Sequence, residues 1–316
     1  MDLIWSILLV IGGLLLVIFF SEQLVKGVAG TSMHFHVPAF LISVIFLGFD
    51  PENLGVGAVG SFEEVSGIAS GSIIGAAMVA MALALGITAL FAPLKFEKIS
   101  WKLLLVPFVS VLLFSLLAID GRLGRADGII LITAYVFSIL YLIYLNKKGI
   151  SIKAGGEISE MLHKEKLPPG WKSGGLLLLS LFAIIGGSEM LVEGSKVILD
   201  RINISDTLYG MTIIAFLVSI EEIARELPAA LKGKSDISMG NVVGSVLAFF
   251  LFNAGVIALV QPVVLADVTL NFYIPLSLAT VLLIIFLLFF LQKIPKWAGA
   301  LLLLIYIGFA ITGYLI

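Results

Sequence analysis

Ser21-Glu22-Gln23-Leu24-Val25-Lys26-Gly27 returns 167 residues later as Ser188-Glu189-Met190-Leu191-Val192-Glu193-Gly194. Phe46-Leu47 and Glu52 recur at an offset of 170 as Phe216-Leu217 and Glu222. Gly71-Ser72-Ile73-Ile74-Gly75 recurs at 169 as Gly240-Asn241-Val242-Val243-Gly244, and Gly86, Ala89, Leu90 and Pro93 recur at the same offset as Gly255, Ala258, Leu259 and Pro262. Chance similarity would not hold one offset through four separated segments, so the chain is an internal duplication.

The medium in which the duplication folds follows from composition. Of 316 residues, 60% are hydrophobic and 13% charged, with a mean hydropathy of +1.16; soluble domains hold about 45–50% and about 25%. Ten apolar stretches stand out, each near the roughly 20 residues that span a bilayer: about Leu3–Val28, Val37–Gly60, Gly67–Ala92, Trp101–Ala118, Ala126–Leu145, Ser173–Leu199, Thr207–Leu231, Ser238–Val264, Val268–Leu291 and Trp297–Ile316. Continuous runs without alternation at period two argue helices rather than barrel strands. Met1-Asp2-Leu3-Ile4-Trp5 lacks the positive region of a cleavable signal, so the first stretch is read as a retained span. A net charge of −2 provides no basic face for nucleic acid, and the absence of cysteine excludes a disulfide framework, a thiol nucleophile and a cysteine zinc site.

Each copy carries five spans, an odd number, so the second must enter the bilayer from the opposite side. The expected fold is an all-α polytopic membrane protein of ten transmembrane helices arranged as two inverted five-helix repeats, residues 1–145 and 173–316, joined by a linker over 146–172. Basic residues orient it. With the N-terminus outside, the cytoplasmic connections hold 14 of them, six as lysines around the linker, while the outer face holds Arg122, Arg125, Lys196 and Arg201. Both termini are therefore expected outside and the central loop in the cytoplasm, the protein lying in the cell membrane. Trp101, Trp171 and Trp297 fall at cytoplasmic helix starts and Trp5 at the opposite face, as an interfacial belt requires.

Within the apolar runs, carboxylates mark the functional region, because an acid at mid-bilayer costs about 2.5–3.5 kcal/mol on insertion scales. Phe46-Leu47-Gly48-Phe49-Asp50-Pro51-Glu52 and its mate Phe216-Leu217-Val218-Ser219-Ile220-Glu221-Glu222 both place acids far from either end of a span. Pro51 removes a backbone donor and frees carbonyls one turn earlier, and Gly48 and Gly55 loosen the same helix. Carboxylates beside a broken helix supply the oxygens that a hard cation coordinates. At that depth the one basic partner is Arg225, placed i+3 from Glu222 and i+4 from Glu221. One arginine cannot neutralise Asp50, Glu52, Glu221 and Glu222 together.

Other polar positions read differently. Glu63 and Glu64 are expected in an outer loop, Glu22 and Glu189 near span ends, and Glu226 is placed to pair with Arg225. The glycines four apart, Gly71 with Gly75 and Gly240 with Gly244, allow close helix approach. Ser72, Asn241 and Ser245 would present oxygens to the carboxylates where those helices cross.

These motifs resemble the cation/calcium exchangers, whose two alpha-repeats carry a Gly-Thr-Ser-x-Pro-Glu stretch followed by Gly-Asn-x-x-Gly-Ser-Asn. Gly48-Phe49-Asp50-Pro51-Glu52 is similar to the first stretch, shortened by one residue, and Ser219-Ile220-Glu221-Glu222 is similar to it with glutamate replacing proline. Gly240-Asn241-Val242-Val243-Gly244-Ser245 matches the second closely and Gly71-Ser72-Ile73-Ile74-Gly75-Ala76 more loosely. The resemblance implies alpha regions at about 37–92 and 207–264, with Glu52 and Glu222 as paired central cation ligands and Ser219, Asn241 and Ser245 as supporting oxygens. It also shows departures: Ala76, Ala80, Val246 and Phe249 stand where the family has further oxygen ligands, and Arg225 adds a positive charge.

The function expected is secondary antiport of a divalent cation, calcium foremost, against sodium or protons. The partners are then the lipid bilayer and inorganic cations, without a cofactor. Two alternatives remain: a transport-inactive cation-binding or sensor homologue, and an intramembrane aspartyl protease built on Asp50.

Overall fold

The computed structural model describes residues 3–34, 50–96, 99–149, 170–202 and 204–314. The first half of the second apolar stretch, including Phe46-Leu47-Gly48-Phe49, and most of the linker lie outside these residues. The described chain is helical nearly throughout: α1 (Leu3–His34), α2 (Pro51–Phe62), α3 (Ser66–Phe91), α4 (Trp101–Leu117), α5 (Arg125–Lys147), α6 (Gly170–Ile202), α7 (Asp206–Ser219), α8 (Glu221–Leu231), α9 (Ser235–Leu247, continuing through Ala248–Asn253 and Ala254–Val260), α10 (Thr269–Leu291) and α11 (Lys296–Thr312). Local chemistry sets several starts. Ser205 Oγ accepts from the Leu208 amide at 3.2 Å, and Asp127 Oδ2 accepts from the Gly124 amide at 2.8 Å, satisfying donors that the first turn cannot bond internally.

Six of these helices, α1, α3, α5, α6, α9 and α10, are long and apolar enough to cross a bilayer, and α7 with α8 makes a seventh span bent by 50°. The described apolar stretches are thus largely helical, and the helices differ in length. At 17 residues, α4 and α11 reach about 25 Å at roughly 1.5 Å per residue, short of an average hydrocarbon core. The eighth stretch also ends earlier than hydropathy suggests: Gln261 turns extended and Val263–Val264 becomes a strand.

Four two-residue strands make two ribbons that link distant parts of the chain. β1 (Leu94–Lys95) pairs antiparallel with β4 (Lys293–Ile294), and β2 (Arg122–Leu123) with β3 (Val263–Val264). β1 and β3 stand 169 residues apart and β2 and β4 stand 171 apart, so each ribbon repeats the other with the copies exchanged. Helix crossings show the same exchange. Gly86 packs backbone to backbone against Gly299, and Gly255 packs likewise against Gly128.

α1 and α6 lie along each other, with Gly13 against Gly187, Gly27 against Leu177 and Ser6 against Gly194. Their numbering runs in opposite senses, so these matched helices are antiparallel. α3 and α9 are buried on nearly all sides and form the centre, where Ile73, Ile74, Met78, Phe249 and Phe250 are fully enclosed. Phe19, Phe137, Phe182 and Phe290 point outward, more than half exposed; such side chains suit hydrocarbon and would be costly in water. All four tryptophans are also exposed.

The tightest crossing joins α3 to α7, where a Cβ added to Gly71 would lie 2.2 Å from the Gly210 backbone. Gly71→Ala should therefore lower stability by about 1–3 kcal/mol, read as a fall in thermal midpoint in detergent. Gly186→Ala, on a helix face with open space around it, should leave the midpoint unchanged or raise it. Equal effects at the two positions would contradict this packing.

Candidate functional site

Inside the second apolar stretch a helix starts at Pro51. Proline lacks an N–H and tolerates the first helical position, so α2 begins there with Asp50 as its cap. Asp50 Oδ1 accepts from the Asn53 amide at 2.9 Å, and Oδ2 accepts from Asn53 Nδ2 at 3.0 Å. Asn53 Nδ2 also donates to Ser219 Oγ at 2.8 Å. One fully buried asparagine therefore ties the helix start of the first copy to the matching break in the second. The composition of the acidic motif does not reveal this role. Its sequence signal is the spacing Asp50-x-x-Asn53, a polar cap followed three residues later by a side chain that can reach back.

In the second copy, α7 ends at Ser219 and α8 begins at Glu221, the 50° bend falling at Ile220. Glu52 and the pair Glu221–Glu222 thus occupy the first turns of α2 and α8. The positive ends of the two helix dipoles favour negative charge there.

The structure brings most of the sequence-derived candidates together. Single carboxylate oxygens of Asp50, Glu52 and Glu221 all lie within 4.8 Å of one another. Arg225 reaches across them: Nη2 lies 3.9 Å from Glu52 Oε1, Nη1 lies 3.6 Å from Glu222 Oε1, and the guanidinium pairs closely with Glu221. Glu222 also accepts from Asn241 Nδ2 at 2.6 Å and from Ser245 Oγ at 3.1 Å. Asp50, Glu52 and Glu222 are buried, whereas Glu221 and Arg225 keep a quarter and a fifth of their side-chain surface exposed. The cluster is therefore closed on the side of α2 and α9 and open along one edge of α8.

Among the described residues, several buried oxygens around the cluster have no hydrogen-bond partner: Glu52 Oε2, Asn53 Oδ1 and Ser72 Oγ. Ser72 does not bond a carboxylate directly; it packs against Gly57, one turn beyond Asn53. Ala76, Ala80, Val246 and Phe249 are all buried and apolar, so the positions that lack ligand atoms in the sequence are filled with hydrocarbon. Four acids, one guanidinium and several open oxygen lone pairs are the oxygen-rich donor chemistry that hard cations take.

The weaker candidates separate. Glu63, at the end of α2, shares Lys196 with Glu193 at 2.8 Å each, and Glu22 pairs with Lys26 at 2.8 Å. Glu226 does not pair with Arg225 as its adjacency suggests. It lies on the buried stripe of α8 with Glu222 and Ala230, and neither carboxylate oxygen has a hydrogen-bond partner among the described residues. Neighbours in a helix point about 100° apart, which turns Arg225 towards the acid cluster and leaves Glu226 on the buried stripe.

Apolar helices around a buried, acid-rich break define a membrane transport protein of the ion-exchanger class. The model of the sodium/calcium exchanger protein family matches residues 5–144 and 172–315, and the chain belongs to that family. Among its relatives, an uncharacterized membrane protein of Methanocaldococcus jannaschii is 29% identical over 297 residues, 93% of each chain. The sodium/calcium exchanger MaX1 of Methanosarcina acetivorans is 24% identical, covering 98% of this chain and 99% of its own. A solved structure of the sodium-calcium exchanger NCX_Mj, soaked with sodium and strontium, superimposes with a TM-score of 0.60 at 26% identity, covering 97% of this chain and 98% of that one. The family, the exchanger MaX1 and the solved exchanger are ion-exchange transporters, not enzymes, which sets the protease alternative aside; Asp50 caps a helix, and its mate is Ile220.

Removing the shared donor should unsettle both copies. Asn53→Ala should cost about 1–3 kcal/mol of stability, the range for leaving buried acceptors unsatisfied. Ser219→Ala removes one acceptor of that donor and should cost less. A thermal midpoint unchanged in Asn53→Ala would show that the bridge carries no weight.

Proposed function

We propose that this chain is a secondary antiporter that exchanges a divalent cation, calcium foremost, for sodium or protons by alternating access. The observation that carries this reading is the meeting of Glu52, from the first copy, and Glu222, from the second, on a single positive group. Either exchanging ion would neutralise the pair, and the empty, negatively charged site would be costly to enclose in hydrocarbon. Competition for the same oxygens then couples the two fluxes. Asp50 and Glu221 add charge, while Ser219, Ser72, Asn241 and Ser245 hold or supplement the ligands; Arg225 modulates the charge.

The architecture that supports this reading is ten spans in two inverted repeats, residues 1–145 and 173–316, with 146–172 between them. Four observations favour it: the antiparallel run of α1 and α6, the two exchanged ribbons, the exchanged glycine crossings, and a family match in two segments flanking the linker. Each ribbon also joins connections that a ten-span path places on the same face, Lys95 with Lys293 inside and Arg122 with Val264 outside. In this scheme both termini are outside, the linker is cytoplasmic, and α1 with α6 moves against the remaining helices to alternate access across the cell membrane.

A second reading, a transport-inactive cation-binding protein, is favoured by one feature: a guanidinium already sits among the carboxylates. The two readings part in proteoliposomes. Antiport predicts divalent-cation uptake driven by an imposed sodium or proton gradient, falling to the protein-free background in Glu52→Gln and in Glu222→Gln. Uptake unchanged in both variants contradicts the site assignment. Cation binding without gradient-driven uptake in the unaltered chain supports the second reading.

A further inference from the structure

Arg225 is placed where a bound cation would be expected to go. Its guanidinium contacts Glu52, Glu221 and Glu222, acids from both copies. Its depth is graded between them: Glu221 is 25% exposed and Arg225 19%, against 3% for Glu52 and 0% for Glu222. The guanidinium therefore stands between the open edge of the site and its most buried pair. An ion arriving along that edge meets it first.

The repeat shows that this charge belongs to one copy only. At the offset of 170 the counterpart of Arg225 is Gly55, where even a Cβ would come within 2.5 Å of Ile184 Cγ2 and 3.0 Å of Ser188 Oγ. α6 closes on the first copy at the point where the second makes room for a long cationic side chain. Meanwhile Ala76, Ala80, Val246 and Phe249 offer no side-chain oxygen. The site has fewer ligand atoms and one built-in positive charge. An arginine guanidinium keeps its proton at any physiological pH, so this charge is permanent, and its long side chain lets it shift between neighbouring acids.

Resting on the exchanger reading above, we propose that Arg225 is a tethered cation that takes the place of one coupling ion. With the site empty, it is held by Glu221 and lies 3.9 Å from Glu52 and 3.6 Å from Glu222, close enough to offset both charges. When a divalent cation enters, the guanidinium gives up Glu52 and Glu222 and keeps only Glu221 at the open edge. The emptied site is one charge less negative than its acids alone would make it, so one fewer sodium ion or proton is needed for the return step. The divalent cation also competes with the guanidinium for the same oxygens, which lowers its affinity and discriminates against weakly charged competitors.

The test uses the full chain in proteoliposomes, with calcium as probe and the reversal potential reporting charge moved per calcium ion. Arg225→Gln should add one monovalent ion to each cycle, and Arg225→Lys should keep the unaltered count. Equilibrium titration with calcium, which requires no transport, should show binding tighter by about tenfold or more in Arg225→Gln, tenfold corresponding to about 1.4 kcal/mol. An unchanged ion count together with unchanged calcium affinity in Arg225→Gln overturns the proposal. Absence of flux in the unaltered chain overturns the exchanger reading instead, and the titration still decides whether the guanidinium competes. If Arg225→Gln is not monodisperse, Arg225→Ala is titrated with and without millimolar guanidinium chloride. Added guanidinium should weaken calcium binding in that variant, and no effect would count against the tethered cation.

Discussion

A carboxylate withdrawn from water loses several kcal/mol of hydration, which must be replaced by positive charge or hydrogen-bond donors. The organisation of this chain around its centre follows from that constraint. Glu222 is met by Asn241, Ser245 and Arg225; Asp50 is met by Asn53; Glu52 is approached by Arg225 and keeps one oxygen open. Neither copy completes this set alone. Asn53 reaches Ser219 in the other copy, and Arg225 reaches Glu52. The polar centre and the pairing of the two halves are one structural requirement.

The surrounding fold keeps these groups enclosed. α3 and α9 surround the site with aliphatic and aromatic side chains, and the glycine crossings let α3 and α7 approach backbone to backbone. Ribbons between connections of the two halves fix their register outside the apolar region. α1 and α6 pack chiefly on each other and present much of their surface outward, while α6 also closes on α2 at Gly55.

Much of this architecture is legible in the sequence because it depends on period and offset. Long apolar runs specify helices, and a constant offset through four segments specifies duplication; the described helix starts and ends mostly lie within a few residues of the apolar limits. The acids were legible for an energetic reason: carboxylates in an apolar run need an explanation. Finer features depend on direction rather than presence. That Asn53 bridges the copies follows from where the start of α2 meets the bend between α7 and α8, and a single window of sequence does not contain that meeting. That Arg225 turns to Glu52 and Glu222 while Glu226 finds no hydrogen-bond partner among the described residues follows from the azimuth of α8 against α3 and α9. Ser72 belongs to a recognisable motif, yet it packs against Gly57 because the close approach of α2 decides its neighbours. The strands were hidden because two-residue ribbons carry no periodicity.

The central claim is that Glu52 and Glu222 share one cation contributed from outside the chain, with Arg225 giving way to it. The most direct measurement is anomalous diffraction from crystals of the full chain soaked in strontium or calcium. A peak is expected at coordination distance, about 2.3–2.6 Å for calcium, from carboxylate oxygens of both Glu52 and Glu222, with the guanidinium moved away from both and held by Glu221. A peak bound to only one of the two glutamates, or a saturated crystal in which Arg225 still lies against both, would contradict it.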